Sequence, residues 1–476
     1  MGDDSPRGSL EGALTPFRWD LMGFGLSHAW ITGLLAQAAR EPWAVGSVLN
    51  AQMFIYIAAI IAGGALIAGP LRRGLPGRRV FAVVAVLAAL CTLCVGMAGP
   101  AACAPLLWVG FLGAGACGAF FEIVWAMRFV SIPYAAIPLY ILFAMAISSL
   151  LNIGVGLLPS PAALGVGALL LMGSGVCYAA NYAWDDTPRG HERPRPNVRA
   201  LVSVVSGCLV FSLTYNLFVT LTYHTFTPAV VSSVRFWANF LAALILVTSF
   251  MLVRRVSAIG IFRFILPITA VGFVLFLIAP QSLGEAGLAV AGVGRKFFDI
   301  LTLVVMVRAV QECALPPALW LGLLNIAKNA GYGVGLGLAA AVTVASNAQL
   351  VQVATILPVL ILALIVCFVW LFPERTLEHL FVVQSARPSA PGPTLTDGVR
   401  QVADEHGLTP RELEVLELLA RGRTEVVIMQ KLGVSKGTAH THVTHIYQKL
   451  GVHAQQELIE MVEKTIEDKS PVQSPD

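Results

Sequence analysis

Long apolar segments follow one another from residue 19 to residue 372, and each is about as long as a bilayer-spanning helix. Such a helix takes about 20 residues, because the hydrocarbon layer is roughly 30 Å thick. Only 12% of the 476 residues are charged and 57% are hydrophobic, whereas charged residues make up about 25% of an ordinary soluble protein. The sequence therefore predicts an all-α chain dominated by a polytopic helical membrane bundle.

Twelve spans are predicted in this region. Inside lipid every backbone N–H and C=O group must be bonded within its own segment, so each span is expected to be a helix. The ranges are 19–38, 47–69, 80–99, 104–127, 130–153, 162–183, 200–222, 229–252, 257–279, 286–309, 318–344 and 350–372.

Basic residues are concentrated in alternate loops between the spans. Cytoplasmic loops carry an excess of Lys and Arg, so this alternation predicts that both termini are cytoplasmic, with residues 1–18 as an N-terminal tail. The intervening loops have almost nothing basic beyond Arg40. The arginines on the predicted cytoplasmic side are Arg72, Arg73, Arg78, Arg79, Arg189, Arg193, Arg195, Arg199, Arg254 and Arg255.

The loop from Asp185 to Arg199 divides the spans into six and six. With Gly77-Arg78-Arg79 after span two, this division resembles the major facilitator superfamily, in which two six-helix halves enclose a central cavity. Gly74 stands where that family's loop motif has an acidic residue, which puts a transport cycle in doubt more than the fold. An unrelated twelve-helix bundle is the alternative.

Ionisable side chains inside the spans mark a predicted ligand site at residues 19–372. Such groups are costly in a bilayer and face a cavity or each other. We predict ligand-binding roles for Glu122, Arg235, Arg295, Asp299 and Lys328; Lys296 is a further charge in span ten. Two alternatives stay open: a structural i, i+4 salt bridge between Arg295 and Asp299, and a buried inter-helix pair between Glu122 and Lys328.

The excess of positive charge in the second half predicts a small-molecule ligand that is anionic or aromatic. Aromatic packing is expected from Trp125, Tyr215 or Trp237. No cofactor and no metal site are predicted.

Residues 373–407 are predicted to be a cytoplasmic linker, because Pro388, Pro391 and Pro393 disfavour regular structure. Four short helices follow. Thr409-Pro410-Arg411-Glu412 is a capping box that begins the first of them. Gly422, Gly433 and Gly451 end the first three, Ser435 caps the third, and the fourth covers about 455–466. Residues 467–476 are predicted to be a disordered tail.

The segment 408–466 contains Leu-Thr-Pro-Arg-Glu-Leu-Glu-Val-Leu, then Leu-Gly-Val-Ser, and finally Ile-Tyr-Gln-Lys-Leu-Gly-Val. These motifs resemble the LuxR-type (FixJ- or GerE-like) helix-turn-helix domain. The resemblance implies that the third helix enters the major groove of promoter DNA. His440, Thr441 and Thr444 would then face bases, and Lys436, Thr438 and Lys449 would lie on the phosphate side.

The same resemblance implies a homodimer formed through the fourth helix, at Leu458, Ile459 and Val462. Seven basic and seven acidic residues leave residues 408–464 electrically balanced. Neutralisation of phosphates supplies most non-specific affinity for DNA, so one copy is expected to bind weakly and two copies to be needed. His440, His442 and His445 share this segment without a nearby carboxylate or thiol in the sequence, so structural or DNA-facing roles are expected and not metal binding.

A DNA-binding element after twelve spans predicts a membrane-bound one-component transcriptional regulator in the bacterial inner membrane, with a sensor in residues 19–372. The alternatives are a secondary transporter with a regulatory DNA-binding tail and a passive membrane anchor. No catalytic motif is present, so no enzyme activity is predicted, and no phospho-receiver domain was found.

Overall fold

The computed structural model describes residues 17–38, 48–101, 104–132, 136–180, 198–223, 225–252, 258–313, 315–347, 356, 358–365, 395–422 and 424–467. The chain forms two compact units, Met1–Phe381 and Val382–Asp476. The predicted N-terminal tail up to residue 16, most of the loop Asp185–Arg199, Arg254, Arg255 and the last nine residues lie outside the described ranges.

The first unit, called the bundle here, contains one long helix at each of the first eleven predicted spans. Of predicted span twelve, residues 358–365 are helical and most of the others lie outside the described ranges. The helices are α1 (Gly23–Ala38), α2 (Val48–Ala68), α3 (Arg78–Ala101), α4 (Ala104–Phe129), α5 (Ile137–Val155), α6 (Ser160–Ala180), α7 (Val198–Thr222), α8 (Pro228–Leu252), α9 (Ala258–Ile278), α10 (Pro280–Glu312) and α11 (Pro317–Asn347).

Seven helices in the described part of the bundle are long and apolar enough to cross a membrane. Two of the longest, α10 and α11, are not among them. The sequence gives the reason, because α10 carries Arg295, Lys296 and Asp299, and α11 carries Lys328 beside two asparagines. The polar residues that lower the hydropathy of these helices are the same ones that predict a site.

Contacts between the helices repeat after six helices. In the first half α1 packs on α5, α2 on α4 and α3 on α4; in the second half α7 packs on α11, α8 on α10 and α9 on α10. The halves meet where α2 packs on α11 and where α5 packs on α8. An exchange of the halves turns each of these two contacts into the other, so the bundle has an approximate twofold arrangement.

Glycines on α11 let this helix approach the backbone of α7. A Cβ atom at Gly331 would collide with the carbonyl oxygen of Leu209, and one at Gly335 with that of Leu213. Small residues four apart commonly allow such close helix packing in membranes. The contact fixes the rotation of α11 and therefore the direction in which its polar residues point.

In the second unit, called the C-terminal module here, the described residues 395–422 and 424–467 form five helices. They are α12 (Leu395–Glu405), α13 (Pro410–Ala420), α14 (Glu425–Leu432), α15 (Lys436–Leu450) and α16 (Gln455–Glu467). The last four agree with the sequence prediction. The predicted linker over 373–407 is wrong over residues 395–405, which form α12.

Helix α12 belongs to the module because its apolar face is buried there. Val399 and Val402 are each 1% exposed and share a core with Leu416 of α13 and with Leu458 and Val462 of α16. Apolar positions at 399, 402 and 403 give a helix one continuous apolar stripe. The prolines before residue 395 favoured a linker prediction, but the apolar stripe of α12 packs on the apolar residues of α13 and α16.

Val402→Ala is expected to lower the free energy of unfolding of residues 395–476 by about 2 kcal/mol, because it removes two buried carbon groups and leaves a void. Urea unfolding monitored by circular dichroism measures this. Arg400→Ala, on the exposed face of the same helix, is the control and should change stability by less than about 0.5 kcal/mol. Equal effects of the two substitutions would show that α12 is not part of the folded module.

Candidate functional site

A cavity of about 160 Å³ lies at the centre of the bundle. Its walls come from α1, α2, α4 and α5 and from their counterparts six helices later, α7, α8, α10 and α11. All five predicted ligand residues line it, on four different helices. They are Glu122 on α4, Arg235 on α8, Arg295 and Asp299 on α10, and Lys328 on α11.

Glu122 and Lys328 form an ion pair between α4 and α11. The Lys328 ammonium donates to Glu122 Oε2 at 2.6 Å, and the Asn325 amide donates to the same oxygen. The inter-helix pair that the sequence left open is therefore present, and both of its partners also line the cavity. A charge pair in an apolar setting is sustained only when its remaining hydrogen-bonding groups find partners, and Asn325 supplies one.

Arg295 and Asp299 form the i, i+4 salt bridge on α10, with 3.0 Å between Nη2 and Oδ2. Arg295 Nε also donates to the Tyr332 hydroxyl at 3.1 Å. The guanidinium carbon lies 5.2 Å from the ring centroids of both Tyr215 and Tyr332, a distance at which cation–π attraction contributes. Arg295 therefore links α10 to both α7 and α11.

Helices α1 and α5 of the first half contribute neutral polar groups to the site. His28 Nδ1 lies 3.0 Å from Ser148 Oγ, and the Asn152 amide donates to Thr32 Oγ1 at 2.8 Å. Both contacts join α1 to α5. His28 and Thr32 line the cavity, so α1 offers hydrogen bonds, while the charged groups come from α4, α8, α10 and α11.

Further residues line the cavity beside the five predicted ligand residues. Lys296 and Tyr332 are among its lining residues, and so is the predicted aromatic Tyr215. Trp125 instead donates to Ser174 at 3.2 Å, and Trp237 is 60% exposed on the outside of α8; neither lines the cavity. The charge of Lys296 inside a span was the signal that would have added it.

In the C-terminal module, α14 and α15 form a helix-turn-helix. The turn begins at Gly433, whose φ of 64° lies in the left-handed region that glycine tolerates. Ser435 caps α15 by accepting a hydrogen bond from the Thr438 backbone N–H at 3.2 Å. This cap sets the residue at which α15 begins, and the start of α15 in turn determines which of its residues are exposed.

All six predicted DNA-binding residues are exposed: Lys436, Thr438, His440, Thr441, Thr444 and Lys449. Some already have partners within the module. His440 Nδ1 lies 3.1 Å from Glu425 Oε1, and Thr441 Oγ1 donates to the Gly437 carbonyl at 2.9 Å. Lys449 pairs with Glu412 at 2.7 Å. Its charge is therefore partly neutralised, which weakens the case for Lys449 as a phosphate contact.

The predicted dimer contacts on α16 lie differently from the expectation. Leu458 and Val462 are fully buried in the module's own core, covered by α12. In this conformation they cannot reach a second copy. Ile459, the third predicted contact, is half-buried and keeps some exposed surface.

Comparison with protein families matches residues 406–462 to the bacterial regulatory proteins of the luxR family (GerE). Among curated proteins, oxygen regulatory protein NreC of Staphylococcus aureus, strains JH9 and Mu3 among others, is 47% identical over 53 residues. The match covers 11% of this chain and 24% of the length of NreC. The similarity is thus confined to the C-terminal module.

The bundle is similar to solved transporter structures. A major facilitator superfamily transporter, FucP, in the outward conformation, has a TM-score of 0.52 at 14% identity, covering 74% of this chain and 97% of that one. A bacterial homologue of the iron transporter ferroportin has a TM-score of 0.51 at 12% identity, covering 78% and 100%. At such identities the likeness shows the fold alone.

The chain is thus a multi-pass membrane protein that joins a bundle of the major facilitator fold to a DNA-binding domain. Residues 406–462 form a LuxR-type helix-turn-helix domain. The predicted fold class and both predicted resemblances are confirmed.

Glu412 is the buried carboxylate of the capping box that begins α13. The Thr409 backbone N–H donates to its carboxylate at 2.7 Å. The hydrogen bond from Lys449, and after it that from the Thr409 backbone, lowers the pKa of Glu412 to about 2. A carboxyl whose pKa is lowered by folding stabilises the folded state fully above its unfolded pKa and loses that contribution as pH falls through the folded value.

Glu412→Gln is therefore expected to destabilise the module by about 1 kcal/mol at neutral pH, the usual effect of a lost cap. The difference from wild type should shrink as pH falls from about 5 towards 2. Urea unfolding of residues 395–476 at several pH values tests this. Glu414→Gln, in an exposed pair with Arg411, should have little effect at any pH; a difference for Glu412→Gln that is independent of pH would contradict the role of the carboxylate.

Proposed function

We propose that this chain is a membrane-bound one-component transcriptional regulator. The bundle binds a small molecule in its central cavity, and binding controls how the C-terminal module binds promoter DNA. The observation that carries the proposal is a charged cavity enclosed by the same chain that carries a LuxR-type domain.

The two halves of the bundle supply a physical means of control. The cavity is lined by both halves, and Glu122 and Lys328 connect α4 of one to α11 of the other. A ligand held between the halves favours the arrangement in which its contacts to both are best, and a ligand can shift an equilibrium only through such differential affinity. The shift would alter the spacing or exposure of the tethered modules.

On the DNA side we propose a homodimer in which each α15 enters a major groove. Confinement to the membrane raises the local concentration of modules and offsets the weak binding expected of one balanced copy. Since Leu458 and Val462 are buried, a second copy would contact the exposed side of α16 that includes Ile459. The alternation of basic loops supports an inner-membrane location with both termini in the cytoplasm.

A secondary transporter that reports its activity through the C-terminal module is the second candidate, because the bundle has the major facilitator fold. Uptake assays in proteoliposomes separate the two. Gradient-driven accumulation of a ligand above its external concentration would favour transport, and saturable binding without accumulation would favour the sensor.

Replacement of residues 1–372 by an unrelated membrane anchor should abolish regulation of the target promoters. The reason is that the cavity is lost while the module stays at the membrane. Target promoters can be found by chromatin immunoprecipitation of the full chain and then fused to a reporter. A chimera that regulates these promoters as the full chain does would show that the bundle is only an anchor.

Lys436→Ala should weaken binding of residues 395–476 to DNA of any sequence and reduce the slope of log affinity against log salt by about 1, because one phosphate contact is lost. Fluorescence anisotropy with a random-sequence duplex measures this. The matched control is Lys431→Ala on α14, an exposed lysine outside α15. An unchanged salt slope for Lys436→Ala would remove it from the interface.

A further inference from the structure

Lys296 is a fully buried lysine in the wall of the bundle cavity. The residue is 2% exposed. Its ammonium lies 3.1 Å from Met145 Sδ on α5, and a thioether is a weak acceptor. No carboxylate of the described residues lies within ion-pair distance of it. Burial of a charge is costly unless the charge is paired and hydrogen-bonded.

Lys328, a half-buried lysine in the same cavity, is paired with a carboxylate. It is bonded to Glu122 at 2.6 Å, and that carboxylate is also bonded to Asn325. Asp299, three residues after Lys296 on α10, is bonded to Arg295 instead. Both carboxylates of the cavity are thus already engaged by other cations.

The charges that line the cavity therefore do not balance. Four cationic side chains and two carboxylates line it, and each carboxylate is paired with one cation. Lys296 and Arg235 remain without a carboxylate among the described residues. Arg235 also lines an adjoining cavity of about 70 Å³, together with His28 and Tyr56.

We propose that the cavity binds a small organic carboxylate whose anionic group pairs with Lys296. This inference rests on the proposed function, since it names the ligand class of the same cavity. A carboxylate would satisfy a cation that the protein leaves with a thioether, and its charge would bring the cavity closer to neutrality. Arg235 on α8, a helix of the same half as α10, also lines the cavity and adds to the attraction.

The volume of the cavity limits the rest of the ligand. An apolar cavity of about 150 Å³ accommodates benzene in other proteins, so about 160 Å³ accommodates one ring or a short chain beside the acid group. Phe24, Tyr56, Tyr215 and Tyr332 lie in the walls. These rings favour a flat, apolar body, and we therefore infer a single-ring aromatic carboxylate.

Selectivity follows from the same charges. A neutral amide of the same shape would leave the Lys296 ammonium unpaired, and an amine would add a further cation to the excess. Sites built around a polar partner reject analogues that lack it strongly. Benzoate, benzamide and benzylamine are a matched series in which only the polar group changes.

The test uses the purified full-length protein in lipid nanodiscs, with thermal unfolding followed for wild type, Lys296→Met and Lys328→Met. Without ligand, Lys296→Met should raise the unfolding temperature, because a buried charge without a carboxylate is removed. Lys328→Met should lower it, because Glu122 is left in the bundle without its cation. The second lysine is thus the matched control for the first.

With benzoate at millimolar concentration the unfolding temperature of wild type should rise by at least about 2 °C, as expected for a ligand that binds only the folded state. Benzamide and benzylamine should give no comparable rise, and Lys296→Met should lose the response to benzoate. Absence of a benzoate response in wild type, an equal response to benzamide, or a response retained in Lys296→Met would each overturn the carboxylate assignment.

Failure of the ligand class and failure of the regulator proposal remain distinguishable. If the carboxylate assignment fails while target promoters still depend on residues 1–372, only the ligand class is wrong. If the promoters do not depend on residues 1–372, the regulator proposal fails, whatever the cavity binds.

Discussion

The need to hold charges inside an apolar bundle is the constraint on which the rest of this structure depends. An ionised side chain within hydrocarbon must find a partner or a polar cavity. In this chain Glu122 and Lys328 meet across α4 and α11, and Arg295 meets Asp299 along α10. Because these residues converge on one cavity, the bundle encloses a polar site. Helices that faced only lipid and apolar neighbours would not need such charged residues.

The approximate twofold arrangement places that cavity between two halves that meet at two helix contacts. Helices α2 and α11 form one contact between the halves, and α5 and α8 form the other. Met145 of α5 lies against Lys296 of α10, so cavity groups from both halves touch directly. Packed interfaces have discrete arrangements. In the proposed mechanism, a ligand would act on the bundle by favouring one arrangement of these contacts through a few polar groups.

The sequence predicted the helices, and it predicted which ionisable residues lie at the central cavity, because both leave strong local signals. Apolar length identified the spans, and a charge inside a span identified Glu122, Arg295 and Lys328. Helix α12 was missed because the Pro-rich segment before it suggested a linker. The role of its valines becomes evident only when they are seen packed against α16. The burial of Leu458 follows from that same tertiary contact. Tyr332 was missed since an isolated tyrosine in a span does not reveal which way it points.

The most direct test of the account is a charge-exchange cycle at the contact between α4 and α11, with occupancy of target promoters in cells as the readout. Glu122→Lys and Lys328→Glu are made singly and together, at equal protein levels in the membrane. The account predicts that each single exchange alters promoter occupancy and that the double exchange restores it towards wild type. Occupancy that is the same in all four proteins would contradict control of the DNA-binding domain by the bundle cavity.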